Sequence, residues 1–324
     1  IRVRHAAAFA AVLAGALSIS PAQAQNYPSK FVKFVVTYPP GGSSDVMARI
    51  IGQQLTEAWG QQVVVESRPG AAGAIGMEYA AKQPADGYSL FLMASGHSTS
   101  SGLYKSLAYD AVADFTMISV LASAPFAIVT ATGSPFATIQ DLVQNARAAP
   151  GRIDYGSGGV GSGMHLVAVL LQSRTGVRLN HIPYKGGNAP MLGLLSGEVP
   201  VLFNSVAGLG PQLESGKVRV LAVSTRKRYV ALPNVPTLAE TVAPDFDATA
   251  WYALAGPRGL PAAIVAKLND VARAAVKRKD VAERLQSQGA EAWGTAPAEA
   301  QAFLASEVAR WTKVIRDEKI AAPE

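Results

Sequence analysis

Residues 31–59 read FVKFVVTYPPGGSSDVMARIIGQQLTEAW. Phe31 to Tyr38 is β-branched and aromatic and is cut off by Pro39-Pro40-Gly41-Gly42, which predicts a buried strand. Val46 to Trp59 then places Val46, Ile50, Leu55 and Trp59 at helical spacing. The alternation continues with a strand at Val63–Glu66, a turn at Arg68-Pro69-Gly70, a helix at Ile75–Ala81 and a strand at Tyr88–Ala94. Strand, helix and strand in turn imply a parallel sheet with helices on both faces.

The same cycle returns in the second half. A helix at Ile139–Ala148 ends at Pro150-Gly151, and a strand at Ile153–Tyr155 leads through a glycine loop to a helix at His165–Arg174. Strands follow at Leu179–Tyr184, Val199–Asn204 and Val218–Ser224, with a helix at Asn188–Leu195. Ala262–Arg278 and Ala298–Arg316 read as amphipathic helices. Strands at Phe126–Thr130 and Trp251–Ala255 are the places where the chain would cross between two halves. If it crosses there, the C-terminal helices belong with the N-terminal half; a plain succession of two domains fits the periodicity equally well.

Composition narrows the function classes. The chain has 324 residues, 49% of them hydrophobic and 16% charged, which excludes a disordered chain. It has no cysteine, so disulfides, thiolate metal sites and a cysteine nucleophile are ruled out. Its four histidines form no local metal motif, and no cofactor is expected. Arg2 and Arg4, the apolar run Ala6–Ile19 and Ala22-Gln23-Ala24 form a secretory leader, residues 1–24, with cleavage before Gln25. Without Arg2 and Arg4, 27 basic residues face 23 acidic ones, a net charge of +4. That excess is mild and dispersed, unlike the basic face of a nucleic-acid binder.

Two strand–loop–helix junctions carry the candidate chemistry. The first is Tyr38, Pro39, Pro40, Gly41, Gly42, Ser43, Ser44 and Asp45; the second includes Gly158, Gly159, Gly161, Ser162 and His165. Glycine lets the backbone approach a ligand, and the helix behind it offers unpaired N–H groups and the positive end of its dipole. Such a junction binds an anion without a charged side chain. Ser44 or Asp45 is the expected N-cap of the first helix. Ser95 and His97 end the third strand and are expected to line the same cleft. Tyr184, Gly186, Asn204 and Ser205 end two further strands and suit the same logic.

Competing chemistries fit less well. Gly156-Ser157-Gly158-Gly159-Val160-Gly161 matches a dinucleotide-binding pattern, but no acidic residue occurs from Ser162 to Gly197 to hold a ribose. No serine lies in G-x-S-x-G. Ser162 and His165 have no local orienting acid, which leaves an exported hydrolase-like enzyme as the alternative class. A sensor that hands the signal to a membrane kinase is a third.

The whole mature chain resembles one family. Tyr27-Pro28, the Pro-Gly-Gly-x-x-Asp loop ending at Asp45, Arg68-Pro69-Gly70 with Ile75-Gly76, and Asp86-Gly87-Tyr88 carry the likeness. So do Tyr155-Gly156-Ser157, Gly161-Ser162 with His165-Leu166, Pro183-Tyr184-Lys185-Gly186 and Leu232-Pro233-Asn234-Val235-Pro236-Thr237. Together they resemble the periplasmic receptors of tripartite tricarboxylate transporters, of the Bordetella uptake gene type. The resemblance implies a type II periplasmic-binding-protein fold, with two α/β lobes of mainly parallel sheet and two crossing strands as a hinge. It favours the interleaved arrangement, with residues 25–127 and 251–324 as lobe 1 and 128–250 as lobe 2. It implies a non-enzymatic periplasmic monomer that closes on a small carboxylate held by Pro40–Asp45 and Gly158–Ser162, with Tyr184–Gly187 and Asn204-Ser205 nearby, and that delivers it to membrane permease subunits. Ser98-Thr99-Ser100-Ser101-Gly102 departs from the family pattern in a loop expected to line the cleft.

Overall fold

A computed structural model describes residues 27–104, 107–318 and 320. The leader at 1–24 lies outside the described residues.

The first strand, β1 (Val32–Val36), is hemmed in on both faces, with Val32, Phe34, Val35 and Val36 fully buried. Helix α1 (Ser43–Trp59) turns Met47, Ile50, Ile51 and Leu55 onto it and stops at Gly60 in the left-handed conformation. β2 (Val63–Ser67) returns parallel to β1, α2 (Ala74–Ala81) covers the other face, and β3 (Ser89–Ala94) pairs parallel on β1's far side. Helix α3 (His97–Leu103) follows where the sequence predicts a loop. His97–Leu103 has few strong helix formers; packing under the C-terminal helix holds it, with Ser98 and Thr99 fully buried.

β4 (Phe115–Ala131) runs for 17 residues, far longer than the predicted Phe126–Thr130. Its first part, to Pro125, pairs antiparallel with β9 (Thr249–Pro257), and its last part pairs with two strands of the second half. Pro125 sits at the changeover, opposite Thr249, where its carbonyl accepts from Val206 instead. A proline there interrupts the pattern in sequence but leaves the strand continuous.

The second half comprises α4 (Ile139–Ala148), started by a Thr138–Asp141 capping box, β5 (Asp154–Ser157), α5 (Gly163–Thr175) and β6 (Asn180–Pro183). It continues with α6 (Ala189–Ser196), β7 (Val201–Ser205), the short α7 (Gly210–Glu214), β8 (Val218–Val223) and α8 (Leu238–Thr241). β5 lies parallel between β6 and β7, and β7 and β8 both run antiparallel to the end of β4.

After β9 come α9 (Ala262–Lys277), α10 (Lys279–Ser287), β10 (Glu291–Ala292) and α11 (Pro297–Asp317). α9 packs on α1 and β4, and α11 packs on α3 and β4, so the C-terminal helices contact the N-terminal elements. One apolar core runs through both halves along β4; two smaller ones lie behind the outer faces, around Trp251, Phe91 and Leu304 and around Leu194, Leu202 and Val223. This is a two-lobed α/β fold joined by long strands.

Candidate ligand-binding cleft

The chain brings three helix N-termini to one place. α1 begins after Gly42, which is extended and offers no side-chain cap. The first intrahelical bond runs from Val46 N–H to the Gly42 carbonyl, so Ser43, Ser44 and Asp45 N–H groups precede the ladder. α6 begins after Asn188, also without a side-chain cap bond. α5 begins after Ser162, whose hydroxyl accepts from His165 N–H.

These ends wall a single cleft. Gly41 to Ser44 form one side, and Ser162 to Met164 with Gly186 to Asn188 form the other. Ala94 to Gly96, Asn204, Ser205 and Gln212 close the ends, while Phe126, Ala250 and Tyr252 lie on the crossing strands β4 and β9. The glycine loops touch over it. A Cβ on Gly42 would lie 3.3 Å from Gly187 Cα, and one on Gly186 would lie 3.2 Å from the Pro39 ring. A side chain at either position would crowd the facing loop. The cavity has about 70 Å³ of room for the centres of water-sized molecules. No charged side chain is among its lining residues.

Of the residues singled out in sequence, Tyr38, Gly41, Gly42, Ser43, Ser44, Ser95, Gly158, Ser162, Gly186, Asn204 and Ser205 line this cleft. Seven others stand behind its wall. Pro40 places its carbonyl against Gly187. Asp45 is not the N-cap: it lies one turn in, buried, and its Oδ2 accepts from Gly41 N–H at 3.1 Å and pairs with Arg49 at 2.9 Å. That bond holds the first loop in its left-handed turn at Gly41. His97 does not face the cleft; its Nε2 is 2.7 Å from the Ala111 carbonyl and its ring stacks on Tyr109. Tyr184 packs its ring against Gly156 and its hydroxyl against Gly193.

Gly159, Gly161 and His165 belong to a support layer. Gly161 N–H donates to His165 Nδ1 at 3.2 Å, and its carbonyl accepts from Thr99 Oγ1 at 2.5 Å, so α3 grips the second loop from the opposite half. Gly159 N–H donates to Ser157 Oγ, which lies 2.7 Å from His181 Nε2. The His165 and His181 rings stack at 4.3 Å, and Tyr155 stacks on His181. Sequence reasoning passed over His181: it is on β6, and only the parallel β5–β6 pairing sets it beside Ser157. The Ser98–Gly102 stretch is correspondingly not a cleft loop but part of α3, with Ser98, Thr99 and Ser100 buried.

Ser162 and His165 form no nucleophile–base pair. Ser162 Oγ donates to the Gly159 carbonyl at 2.7 Å, and His165 Nδ1 is occupied by Gly161 N–H. An attacking hydroxyl needs its proton aimed at a free imidazole nitrogen.

Burial pushes the His97 and His165 imidazoles down to about 4, and burial with the neighbouring His165 pushes His181 to about 3. Unfolded, each titrates near about 6.5. The unfolded chain therefore takes up protons first as pH falls, so the stabilisation is complete above about pH 6.5 and is lost towards pH 4. Each fully buried histidine is expected to remove about 1.5–2 kcal/mol of stability between pH 7 and pH 5, the part-exposed His181 less. Thermal melts at those two pH values measure it, with His165→Gln flattening the slope; equal melting temperatures would contradict the neutral buried histidines.

Among the described residues no group of His, Asp or Glu is placed to hold a metal ion, and no helix is long and apolar enough to cross a membrane.

Comparisons with known proteins agree with this architecture. The family described as "Tripartite tricarboxylate transporter family receptor" matches residues 47–320. Protein BugT of Bordetella pertussis is 35% identical over 300 residues, 92% of this chain and 92% of that protein. Among solved structures, R. palustris Rpa4515 with adipate has a TM-score of 0.87 at 34% identity, covering 91% of this chain and 99% of that one. MatC from Rhodopseudomonas palustris with bound malate has a TM-score of 0.84 at 28% identity, covering 89% and 100%. Two other structural neighbours are described as periplasmic, a transporter and the binding protein BugD. The match runs from within α1 through the second glycine loop, the crossing strands and the C-terminal helices, and so the chain belongs to the family of tripartite tricarboxylate transporter receptors, which are solute-binding proteins.

Proposed function

We propose that this protein is a periplasmic solute-binding receptor that captures a small organic carboxylate in the cleft and delivers it to the membrane permease subunits of a tripartite transporter. In this reading lobe 1 is residues 25–127 with 251–324, lobe 2 is 128–250, and the chain works as a monomer. Asp45, Gly159, Gly161 and His165 act by holding the two loops, and the cleft-lining residues touch the ligand.

One observation carries the proposal: three helix N-termini meet in a cleft whose lining has no charged side chain. A carboxylate gains charge-assisted hydrogen bonds of about 1.5–3 kcal/mol each from such N–H groups, and each dipole adds about 0.3–1 kcal/mol. Several together offset the several kcal/mol lost in taking the anion out of water. A cation would meet the positive dipole ends of three helices and no carboxylate side chain in the lining. A cavity with about 70 Å³ for the centres of water-sized groups suits a small acid better than a nucleotide. The relatives solved with adipate and malate support the same ligand class, and the leader pattern supports export.

The test is thermal shift followed by calorimetry with short mono- and dicarboxylates, hydroxy acids, their neutral amides and matched amines. Only acids are expected to raise the melting temperature, by RT ln(1 + [L]/Kd) of added stability. A panel in which no acid binds, or in which the amines bind as well as the acids, would overturn the proposal.

A further inference from the structure

Gln212 lies on the short α7, and its main chain is fully engaged: its N–H donates to the Leu209 carbonyl, and its carbonyl accepts from Lys217 N–H. Its side chain lines the cleft, where Oε1 is buried with no hydrogen-bond partner. A carboxamide oxygen left without a partner in a buried position is destabilising unless something else completes it. Several other polar groups of the wall are already bonded, whereas Gln212 Oε1 is the lining side-chain atom that is both buried and unpartnered among the described residues. Asn204 Oδ1 accepts from Ser205 N–H, Ser162 Oγ donates to Gly159, and Ser205 Oγ accepts from Ala207 N–H and Tyr252 Oη. The turn that carries Gln212 faces the start of α1: a Cβ on Gly208 would lie 3.7 Å from Ser43 Cα. The amide therefore shares the cleft with the anion-binding N–H groups but belongs to a different element.

We propose that Gln212 is a specificity-determining residue that pairs with a second hydrogen-bonding group of the ligand, so that the receptor selects bifunctional acids over plain alkanoates of the same length. The proposal rests on the carboxylate reading above. A carboxamide can turn either its oxygen or its NH2 to the ligand, so it accepts from a hydroxyl or donates to a second carboxylate. A plain methyl end would leave the amide unpaired, and a site built around a hydrogen bond rejects the analogue that lacks it. The uncharged amide also spares the site a second buried charge of its own.

The experiment compares hexanoate, 6-hydroxyhexanoate and adipate by calorimetry on the wild type, Gln212→Leu and Gln212→Glu. The wild type is expected to bind the two bifunctional acids about 10- to 100-fold more tightly than hexanoate. Gln212→Leu, similar in volume, should erase that ratio while still binding hexanoate. Gln212→Glu should lose adipate by like-charge repulsion and keep 6-hydroxyhexanoate. A ratio unchanged in Gln212→Leu, or a wild type that binds all three acids alike, overturns the role of Gln212 and leaves the carboxylate reading intact. A wild type that binds no acid in this panel or the wider one overturns both.

Discussion

Gly161→Val is expected to weaken carboxylate binding at least about 100-fold while the protein still folds. Gly161 has φ +82°, a conformation that costs an L-residue roughly 1–2 kcal/mol and a β-branched one more. A Cβ there would lie 2.3 Å from Leu103 Cδ2, in the contact between α3 and the second loop. Valine is strained at that φ and crowds Leu103, so the loop is expected to shift against α3 and disturb the Thr99 bond to its carbonyl and the His165 bond to its N–H. The loop carries Gly158 and Ser162 in the cleft wall and leads straight into the N-terminus of α5. A shift of about 1 Å at positioned donors is enough to remove most of their benefit. Gly41→Val, at φ +81° and facing Asn188 Nδ2 at 3.0 Å, should act on the first loop in the same way. Calorimetry with an acid that the wild type binds, alongside circular dichroism, separates lost binding from lost folding. Full affinity in both variants would mean that the two loops do not form the site.

The largest effect on stability is expected at Glu307. Its carboxylate is 8% exposed on α11, and its Oε2 accepts from the indole N–H groups of Trp251 and Trp311, each at 3.2 Å. Oε1 pairs with Arg310 at 3.4 Å. Trp251 is fully buried on β9, so this one acceptor ties the C-terminal helix to a crossing strand. Glu307→Ala leaves two buried N–H groups without a partner at about 1–3 kcal/mol each. The sum of about 2–6 kcal/mol corresponds to a fall in melting temperature on the order of 5–20 °C. Glu307→Gln keeps an amide oxygen for the indoles and should lose less than half as much. Differential scanning calorimetry of the two variants measures both; a fall under about 2 °C for Glu307→Ala would show that the indoles find other partners.

Much of this molecule follows from local sequence. The β1–loop–α1 unit is legible because Phe31–Tyr38, two prolines, two glycines and a helical apolar spacing each act over a few residues. The glycine loops are legible for the same reason, since positive φ and close approach are demands that one residue type meets. β4 was legible only at its end. Pro125 looks like a boundary, and nothing local tells that the strand passes from one set of partners to another at that point. α3 was missed because its helix is held by burial under α11, not by propensity. His97 was placed in the cleft because it follows a strand end, but the turn of α3 carries its ring to Tyr109.

The α/β alternation and the two glycine junctions can be read from short windows of sequence, because each depends on backbone conformation over a few residues. Tertiary structure alone decided which groups share the cleft and which support it. Asp45, His165 and Thr99 hold the loops, and Gln212 lines the cavity with an unpartnered amide oxygen. Those roles depend on contacts such as Thr99 with Gly161 and Gly42 with Gly187, between residues far apart in the chain. Such contacts exist only once strand pairing and core packing have fixed the elements in space, and no short-range pattern encodes them.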